Sequence, residues 1–371
     1  MTGAPPDISL VVNTFEKPRH LALVLESIAL QEGVEGRFEL IVADDGSRDG
    51  TADLVSDYAA RVPFPVHLTT EPHDGFRLAR VRNRGAALAS GATLLFLDGD
   101  SILPRDHVAV HLARRRAGVA RIGDVVRLPE SACRDLEPGS LARFDPHRVA
   151  PAAERARIGR RHRRSVWQNL LRHPTKPRLA GGNFAVWRDD YRRVNGSDER
   201  FRGWGQEDDD LGLRLRASGV RLESILDATC TYHVWHPVDP SATPRWRDGV
   251  NVPYFLRRGR LTRCRMGLEN RNSRSVLWGP AAGLGTTPLG RAILEVLGDA
   301  PVAAAGGPCE IEVVAWPGGD RFSRRAECRL LVVERGRRAD VPSRLSRKAD
   351  QTVEASTEDP DGLRATLDSA G

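Results

Sequence analysis

Four groups of residues could do chemistry. Asp98-Gly99-Asp100 closes an apolar run, TLLFL. Acids are costly to bury unless they are paired or metal-bound. Two of them at a strand's end can hold a divalent cation, Mn²⁺ or Mg²⁺, both of which take oxygen ligands. Asp44-Asp45-Gly46-Ser47 closes a second run, FELIVA. A carboxylate there can accept from a nucleobase N–H or from ribose hydroxyls, or Ser47 or Asp49 can simply cap the helix that follows. Gly203-Trp204-Gly205-Gln206 leads into four consecutive acids, Glu207, Asp208, Asp209 and Asp210. A helix N-terminus favours negative charge, but capping needs only one or two acids. Four crowd one another, and in an enclosed site at least one must have a raised pKa, which suits a general base. Trp204 offers a flat apolar face to a sugar ring. His233 and His236 stand in one short segment, TYHVWHP, and neutral imidazole is a common ligand for transition metals. Each group alone has a plain structural reading as a turn, a cap or a core histidine; together they suggest a site.

The elements that must position these groups can be read from periodicity. Ile8–Val12, a β-branched apolar run, and Phe38–Ala43, Val66–Thr69 and Thr93–Leu97 read as strands. Between them, Arg19–Leu30, Thr51–Ala60 and Arg77–Ala89 carry helical spacing, as in Leu21, Val24, Leu25 and Ile28. Strands alternating with helices indicate βαβ units and a parallel sheet, in which ligands bind beyond the carboxyl ends of the strands. Further on, Asp189–Val194 and Gln206–Ser218 read as helices and VRLESI as a strand.

The 371 residues suffice for one large domain with an extension, or for two domains. The balance of 40% hydrophobic and 28% charged residues is that of a globular protein with a buried core. Five dispersed cysteines with no CxxC pair argue against zinc and a disulfide framework and suit a reducing cytosol. The N-terminus lacks the basic and apolar regions of a signal peptide, and no apolar run approaches the roughly 18 residues that span a bilayer. The expected location is cytoplasmic, or peripheral at the inner face of the membrane. Net charge is +7, mostly arginine. Residues 133–178 are rich in Arg, Pro and Ala, with RRHRR followed by SVWQNLL. That stretch reads as a basic, partly amphipathic helix or mobile segment, either closing over the site or meeting anionic lipid or a lipid-linked acceptor.

The segments VVNTFEKP, ADDGS and RVRNRGAALASGATLLFLDGDSILP resemble the N-terminal half of family 2 glycosyltransferases. LAGGNFAVWRDDYRRVNGSDERFRGWGQEDDDLGLRL resembles the C-terminal module of β-galactosyltransferases and chondroitin-polymerase-like enzymes. The resemblance runs from about Ile8 to Pro237, with the motifs in the right order. It implies an α/β fold of the GT-A type: a mostly parallel central sheet flanked by helices, with a small C-terminal extension. It implies an inverting, metal-dependent transfer of a hexose or N-acetylhexosamine from a nucleotide-sugar donor, a UDP-sugar by family habit, to a carbohydrate or lipid-linked glycan acceptor, in polysaccharide or glycoconjugate synthesis. Thr14, Glu16, Asp44, Asp45, Arg82, Asn83, Asp98, Gly182 and Asn183 would meet the nucleotide sugar. Asp100 and Asp98 match the DXD and, with His233 or His236, would hold the cation, Mn²⁺ or Mg²⁺. Trp204, Glu207 and Asp209 would meet the acceptor, and Asp208 would be the base. Gln206 departs from the glycine often found there.

Shifts in composition together with the resemblance divide the chain into an expected catalytic domain over 1–272, with a nucleotide-sugar half (1–132), a basic connector (133–178) and an acceptor and metal half (179–240). An extension over 273–338 is expected to carry a hairpin, Glu310–Trp316 with Glu327–Glu334, and 339–371 to be disordered. Two other classes fit less well. Sugar nucleotidyltransferases carry a glycine-rich stretch where this chain has NTFEKPRH. A non-catalytic module for anionic glycan or nucleic acid would interleave aromatics with its basic residues, whereas aromatics are 6% here; nucleic acid is not an expected partner.

Overall fold

The apolar runs become the centre of a sheet. The computed structural model describes residues 5–237, 246–304, 307–322 and 325–371, and the chain divides into two units, Met1–Val252 and Pro253–Gly371. The division falls at Val252/Pro253 rather than after residue 272.

In the first unit Ile8–Thr14 (β1), Phe38–Asp44 (β2), Val66–Thr70 (β3) and Thr93–Asp98 (β4) alternate with Pro18–Ala29 (α1), Thr51–Ala59 (α2) and Leu78–Leu88 (α3). There follow Ser101–Ile102 (β5), His107–Ala113 (α4), Val119–Ile122 (β6), Val125–Arg127 (β7), Glu130–Cys133 (α5), Pro146–Val149 (α6), Ala152–Leu170 (α7), Asn183–Trp187 (β8), Arg188–Arg193 (α8), Glu207–Ala217 (α9), Arg221–Ser224 (β9) and Thr231–His233 (β10). The large sheet has the order β3-β2-β1-β4-β8-β6-β9. The pairs β2–β3, β1–β2, β1–β4 and β6–β9 are parallel, while β8 runs antiparallel to β4 and β6.

Every residue of β2 is buried, and β1 and β4 are nearly so, as expected of strands covered on both faces. Leu21, Val24, Leu25 and Ile28 of α1 pack with Leu10 and Val12 of β1 in one core; fully burying each such side chain contributes about 1.5–3 kcal/mol. On the other face α3 lies so close to β1 that a Cβ on Gly85 would strike Val11.

The strand order reverses at β1, which has β2 on one side and β4 on the other. Such a switch point opens a crevice at the strands' carboxyl ends. The register sets Asn13 beside Asp98 and Thr14 beside Asp44 at that edge. A second, three-stranded sheet, β5-β10-β7, carries the histidine segment to the same place, with His233 opposite Ser101. The basic connector is largely helical: α7 runs for 19 residues. Among the described residues no helix is long and apolar enough to cross a membrane.

One helical turn, Val252–Phe255 (α10), spans the division, and the second unit continues with Trp278–Pro280 (β11), Pro288–Leu297 (α11), Cys309–Trp316 (β12), Ala326–Glu334 (β13), Ser343–Lys348 (α12), Gln351–Ala355 (β14) and Pro360–Ser369 (α13). Two expectations are corrected here. β12 and β13 are parallel neighbours in the sheet β11-β12-β13-β14, not a hairpin. Both are near-continuous apolar runs buried on both faces, the pattern of parallel strands. The tail expected to be disordered forms α12, β14 and α13. Its apolar signal is only sparse: Leu363 and Leu367, one helical turn apart, reach the core around Trp278. Asp359 accepts from the Gly362 N–H, and Pro360 stands in the first turn.

Candidate active site

At the switch point lies a cavity of about 310 Å³ whose lining includes Asn13, Thr14, Asp45, Asp98, Asp100, Trp204, His233 and His236. Asp100 stands two residues beyond the end of β4, and its backbone carbonyl accepts from the Val234 N–H at 2.8 Å. That bond, with the β5–β10 pairing, delivers both histidines to Asp100. His236 Nε2 is 3.2 Å from Asp100 Oδ2 and His233 Nε2 is 3.6 Å from Oδ1. The ligand atoms of the three residues all lie within 4.8 Å of one another, so together they could hold a metal ion. One carboxylate with two imidazoles suits Mn²⁺ and its transition-metal neighbours better than Mg²⁺. Burial alone would raise the Asp100 carboxyl, but the hydrogen bond from His236 in its protonated form and the charges of protonated His233 and of Lys17 hold it well below the usual range.

Asp98 turns a different way. Its Oδ1 accepts from Asn13 Nδ2 at 3.2 Å and lies 3.5 Å from Arg82 Nη2. Burial, together with the Asp100 and Asp208 charges, pushes it up to about 6 against the pull of Arg82. Arg82, 1% exposed, also donates to Asp208 Oδ1 at 2.6 Å and to the Gly181 carbonyl at 2.8 Å.

The acidic helix start is built on strained backbone. Gly203, Gly205 and Gln206 have φ of 80°, 95° and 71°, and Gln206 in this left-handed conformation explains why glycine suits that position. The four acids then diverge. Asp210 pairs with buried Arg214 at 2.6 Å, and Asp209 with Arg178 at 3.2 Å. Asp208 meets Arg82. Glu207 is buried, its Oε2 has no hydrogen-bond partner among the described residues, and burial plus the Asp208 charge pushes its carboxyl up to about 8.

Of the nucleotide-sugar residues expected from sequence, Thr14, Asp45 and Asp98 line the cavity. The Thr14 hydroxyl there is buried and has no hydrogen-bond partner among the described residues. Burial raises the Asp45 carboxyl despite His73, whose Nδ1 lies 3.2 Å away and whose ring stacks on Phe15 at 4.1 Å. Asp44 does not line the cavity: its carboxylate accepts from Gly46, Ser47 and Thr70 and closes the strand-to-helix turn. Asn83 is likewise spent, bonded to Ser197, Glu199 and Tyr191. Glu16, at φ 45°, donates its N–H to Ser47 Oγ and is not in the lining. Gly182 sits beneath Asp98, where an added Cβ would stand 2.6 Å from Oδ2. Asn183 is fully buried, with its amide packed against Gly123. Sequence reasoning passed over Asn13, Phe15, Lys17 and Phe76, which all line the cavity. Three of them lie in NTFEKP, the segment after β1, where any polar or aromatic side chain was a candidate.

Parts of this chain are similar to known proteins. Residues 9–176 match the model of glycosyl transferase family 2, and residues 161–237 match that of the N-terminal domain of galactosyltransferase. The validoxylamine A glucosyltransferase of Streptomyces hygroscopicus subsp. limoneus is 30% identical over 245 residues, covering 60% of this chain and 50% of that protein. The chondroitin synthase of Escherichia coli is 25% identical over 276 residues, 68% of this chain and 39% of that protein. The mannosyltransferase PcManGT from Pyrobaculum calidifontis, solved with GDP-Man and Mn²⁺, is 20% identical with a TM-score of 0.44, covering 62% of this chain and 57% of that one. The chain spans about half the length of the first curated relatives it matches. The two family models overlap over residues 161–176 and together match residues 9–237, within the unit that holds the site, and that unit has the α/β sheet expected of a GT-A fold; over these residues the chain is similar to the family 2 glycosyltransferases.

Proposed function

We propose that the first unit moves a glycosyl group from a nucleoside diphosphate sugar, a UDP-hexose or UDP-N-acetylhexosamine, to a hydroxyl of a carbohydrate acceptor, with inversion at the anomeric carbon. The observation that carries this reading is one cavity bordered by the Asp100–His233–His236 cluster, Asp45 and a Thr14 hydroxyl without a partner among the described residues, with the Arg82–Asp208 pair joined to Asp98. A divalent cation held by Asp100, His233 and His236 would supply Lewis-acid stabilisation of the departing diphosphate.

The chain's own residues do the rest. Thr14, Asp45 and Phe15 offer a donor, a carboxylate acceptor and a ring to the nucleoside. Trp204, 42% exposed, offers its face to the acceptor sugar. Asp208 keeps 22% of its side chain exposed, so an acceptor hydroxyl can reach it. Asp208 takes the hydroxyl proton, the oxygen bonds to the anomeric carbon, and the electron pair of the breaking bond leaves with the diphosphate. Arg82 fixes the carboxylate's direction, and holding the partners in line supplies the entropic share of the rate.

The same unit presents a surface for an anionic lipid bilayer, which would suit a lipid-linked acceptor. Val166, Trp167, Leu170 and Leu171, at and just beyond the end of α7, are half or more exposed, and helical spacing puts them on one side. Arg160, Arg163, Arg164 and Arg172 nearby are exposed as well, while Arg157 and Arg161 are paired internally with Asp124.

The test is release of nucleoside diphosphate from a panel of nucleotide sugars by the purified chain, with Mn²⁺ and with excess EDTA. Metal-dependent release from one donor supports the reading. Absence of binding to any nucleotide sugar by the folded protein would overturn it in favour of a non-catalytic anionic-glycan module.

A further inference from the structure

Lys17, the residue just before α1, reaches the same corner as the proposed cation ligands. Its Nζ lies 3.2 Å from Asp100 Oδ2 and 3.0 Å from His236 Nε2, and those two atoms are 3.2 Å apart. The ammonium therefore closes a triangle with two of the three groups that could hold a metal ion.

The His236 ring adds a constraint. Its Nδ1 stands 2.7 Å from the Pro237 carbonyl, which can only accept. Nδ1 thus carries the hydrogen, and Nε2 of the neutral ring carries the lone pair. That single lone pair can accept from Lys17 or ligate a cation, not both. A monovalent and a divalent positive charge sharing the Asp100 oxygen would also repel each other across a distance close to a hydrogen bond. Lys17 has somewhere to go: it lines the same cavity as Asp98, Asp45 and Thr14, and its side chain is 37% exposed.

We infer that Lys17 and a divalent cation are alternative partners of Asp100 and His236, and that the displaced ammonium moves to the donor's diphosphate, so that cation and donor binding are coupled through this one side chain. The inference rests on the cation site proposed above. Without a diphosphate, entry of the cation strands the ammonium; with one, the ammonium exchanges a carboxylate for phosphate oxygens. Coupling of this kind is reciprocal between the two ligands. It gives Lys17 a positioning role toward the leaving group as well as a gating role toward the metal.

The experiment is a titration of the full chain with Mn²⁺ followed by electron paramagnetic resonance, and a calorimetric titration with UDP at saturating Mn²⁺, for wild type, Lys17→Met and Lys17→Gln. The expected signature is a pair of shifts of opposite sign. Mn²⁺ alone binds the variants several-fold more tightly than wild type, and UDP at saturating Mn²⁺ binds them several-fold more weakly. A side chain that merely supports the fold would weaken both, and the two variants guard against a folding defect in one. Unchanged or weaker Mn²⁺ binding by both folded variants overturns the inference and leaves the cation site standing. Failure of wild type to bind Mn²⁺ with or without UDP overturns the cation site and this inference with it.

Discussion

The guanidinium of Arg82 donates to the carboxylate of Asp208 at 2.6 Å, across 126 residues of sequence. The same group holds the Gly181 carbonyl and lies 3.5 Å from Asp98, so one buried cation fixes the proposed base relative to the acid beside the cation cluster. Asp208→Asn keeps an oxygen for Arg82 but cannot take a proton. Turnover should fall about 10²–10⁴-fold, the usual weight of general-base catalysis, with donor affinity by calorimetry unchanged. Full turnover in this variant would remove Asp208 from the role. Arg82→Lys supplies charge without the planar fork that reaches three partners, and should lower both kcat and Tm.

Gly181 is where this frame is tightest. A Cβ there would collide with the Asp208 carboxylate itself. Gly181→Ala should therefore push the base off line rather than unfold the protein. A displacement of about 1 Å at a reacting group can cost on the order of 10²-fold in rate. The expected result is a loss in kcat with little change in donor KM or Tm. A wild-type kcat would show that the Asp208 carboxylate need not hold this position.

Much of this was legible in the sequence, because a buried parallel strand must be a β-branched run and its carboxyl end is where acids can gather. What the sequence hid was direction. Neighbouring motif residues point opposite ways: Arg82 faces the site while Asn83, a helical step of 100° further round, bonds to Tyr191 and Ser197. Gly182 lies under Asp98, whereas Asn183, one strand position on, packs against Gly123. Asp45 lines the cavity while Asp44 is consumed by its own turn. The pairing of His236 with Asp100 depends on a two-residue strand against a three-residue one, too short to leave a periodic signal. In the second unit the strands were visible but not their relative direction, because Pro317-Gly318-Gly319, directly after the first of the two, reads as a hairpin turn.

Glu207 gives the molecule a pH dependence with a definite sign. Burial and the Asp208 charge push its carboxyl up to about 8 in the folded protein, against about 4.3 for an unperturbed glutamate. Between these values the folded state binds the proton and the unfolded state does not, so stability falls as pH rises through this window and levels off above it. Glu207→Gln removes the ionisation. Its Tm should exceed that of wild type at pH 9 and the gap should close toward pH 5. Parallel Tm profiles from pH 5 to 9 would show that Glu207 ionises normally.

Trp204 separates acceptor from donor. It is exposed at the cavity wall on a loop held by glycines of positive φ. If its ring is the acceptor platform, Trp204→Ala should raise acceptor KM on the order of tenfold, the loss expected for about 1.4 kcal/mol of stacking, and leave metal-dependent donor hydrolysis unchanged. Trp204→Phe should recover part of the loss. An equal effect on donor hydrolysis would place the ring on the donor side.

The end of α7 is the last element whose sequence carries more than the fold requires. A helix buried on one side needs polar residues on the other, yet Trp167, Leu170 and Leu171 are exposed beside exposed arginines. Apolar area plus positive charge is the composition of an interfacial helix, and each arginine near an anionic surface adds about 1 kcal/mol. The chain should co-sediment with vesicles containing phosphatidylglycerol and much less with pure phosphatidylcholine. A triple change of Trp167, Leu170 and Leu171 to Ser should abolish that binding while leaving transfer to a soluble acceptor intact, since none of the three lines the cavity. Equal sedimentation with both lipids would point to apolar adhesion alone. No sedimentation with either would assign this face to something other than a bilayer.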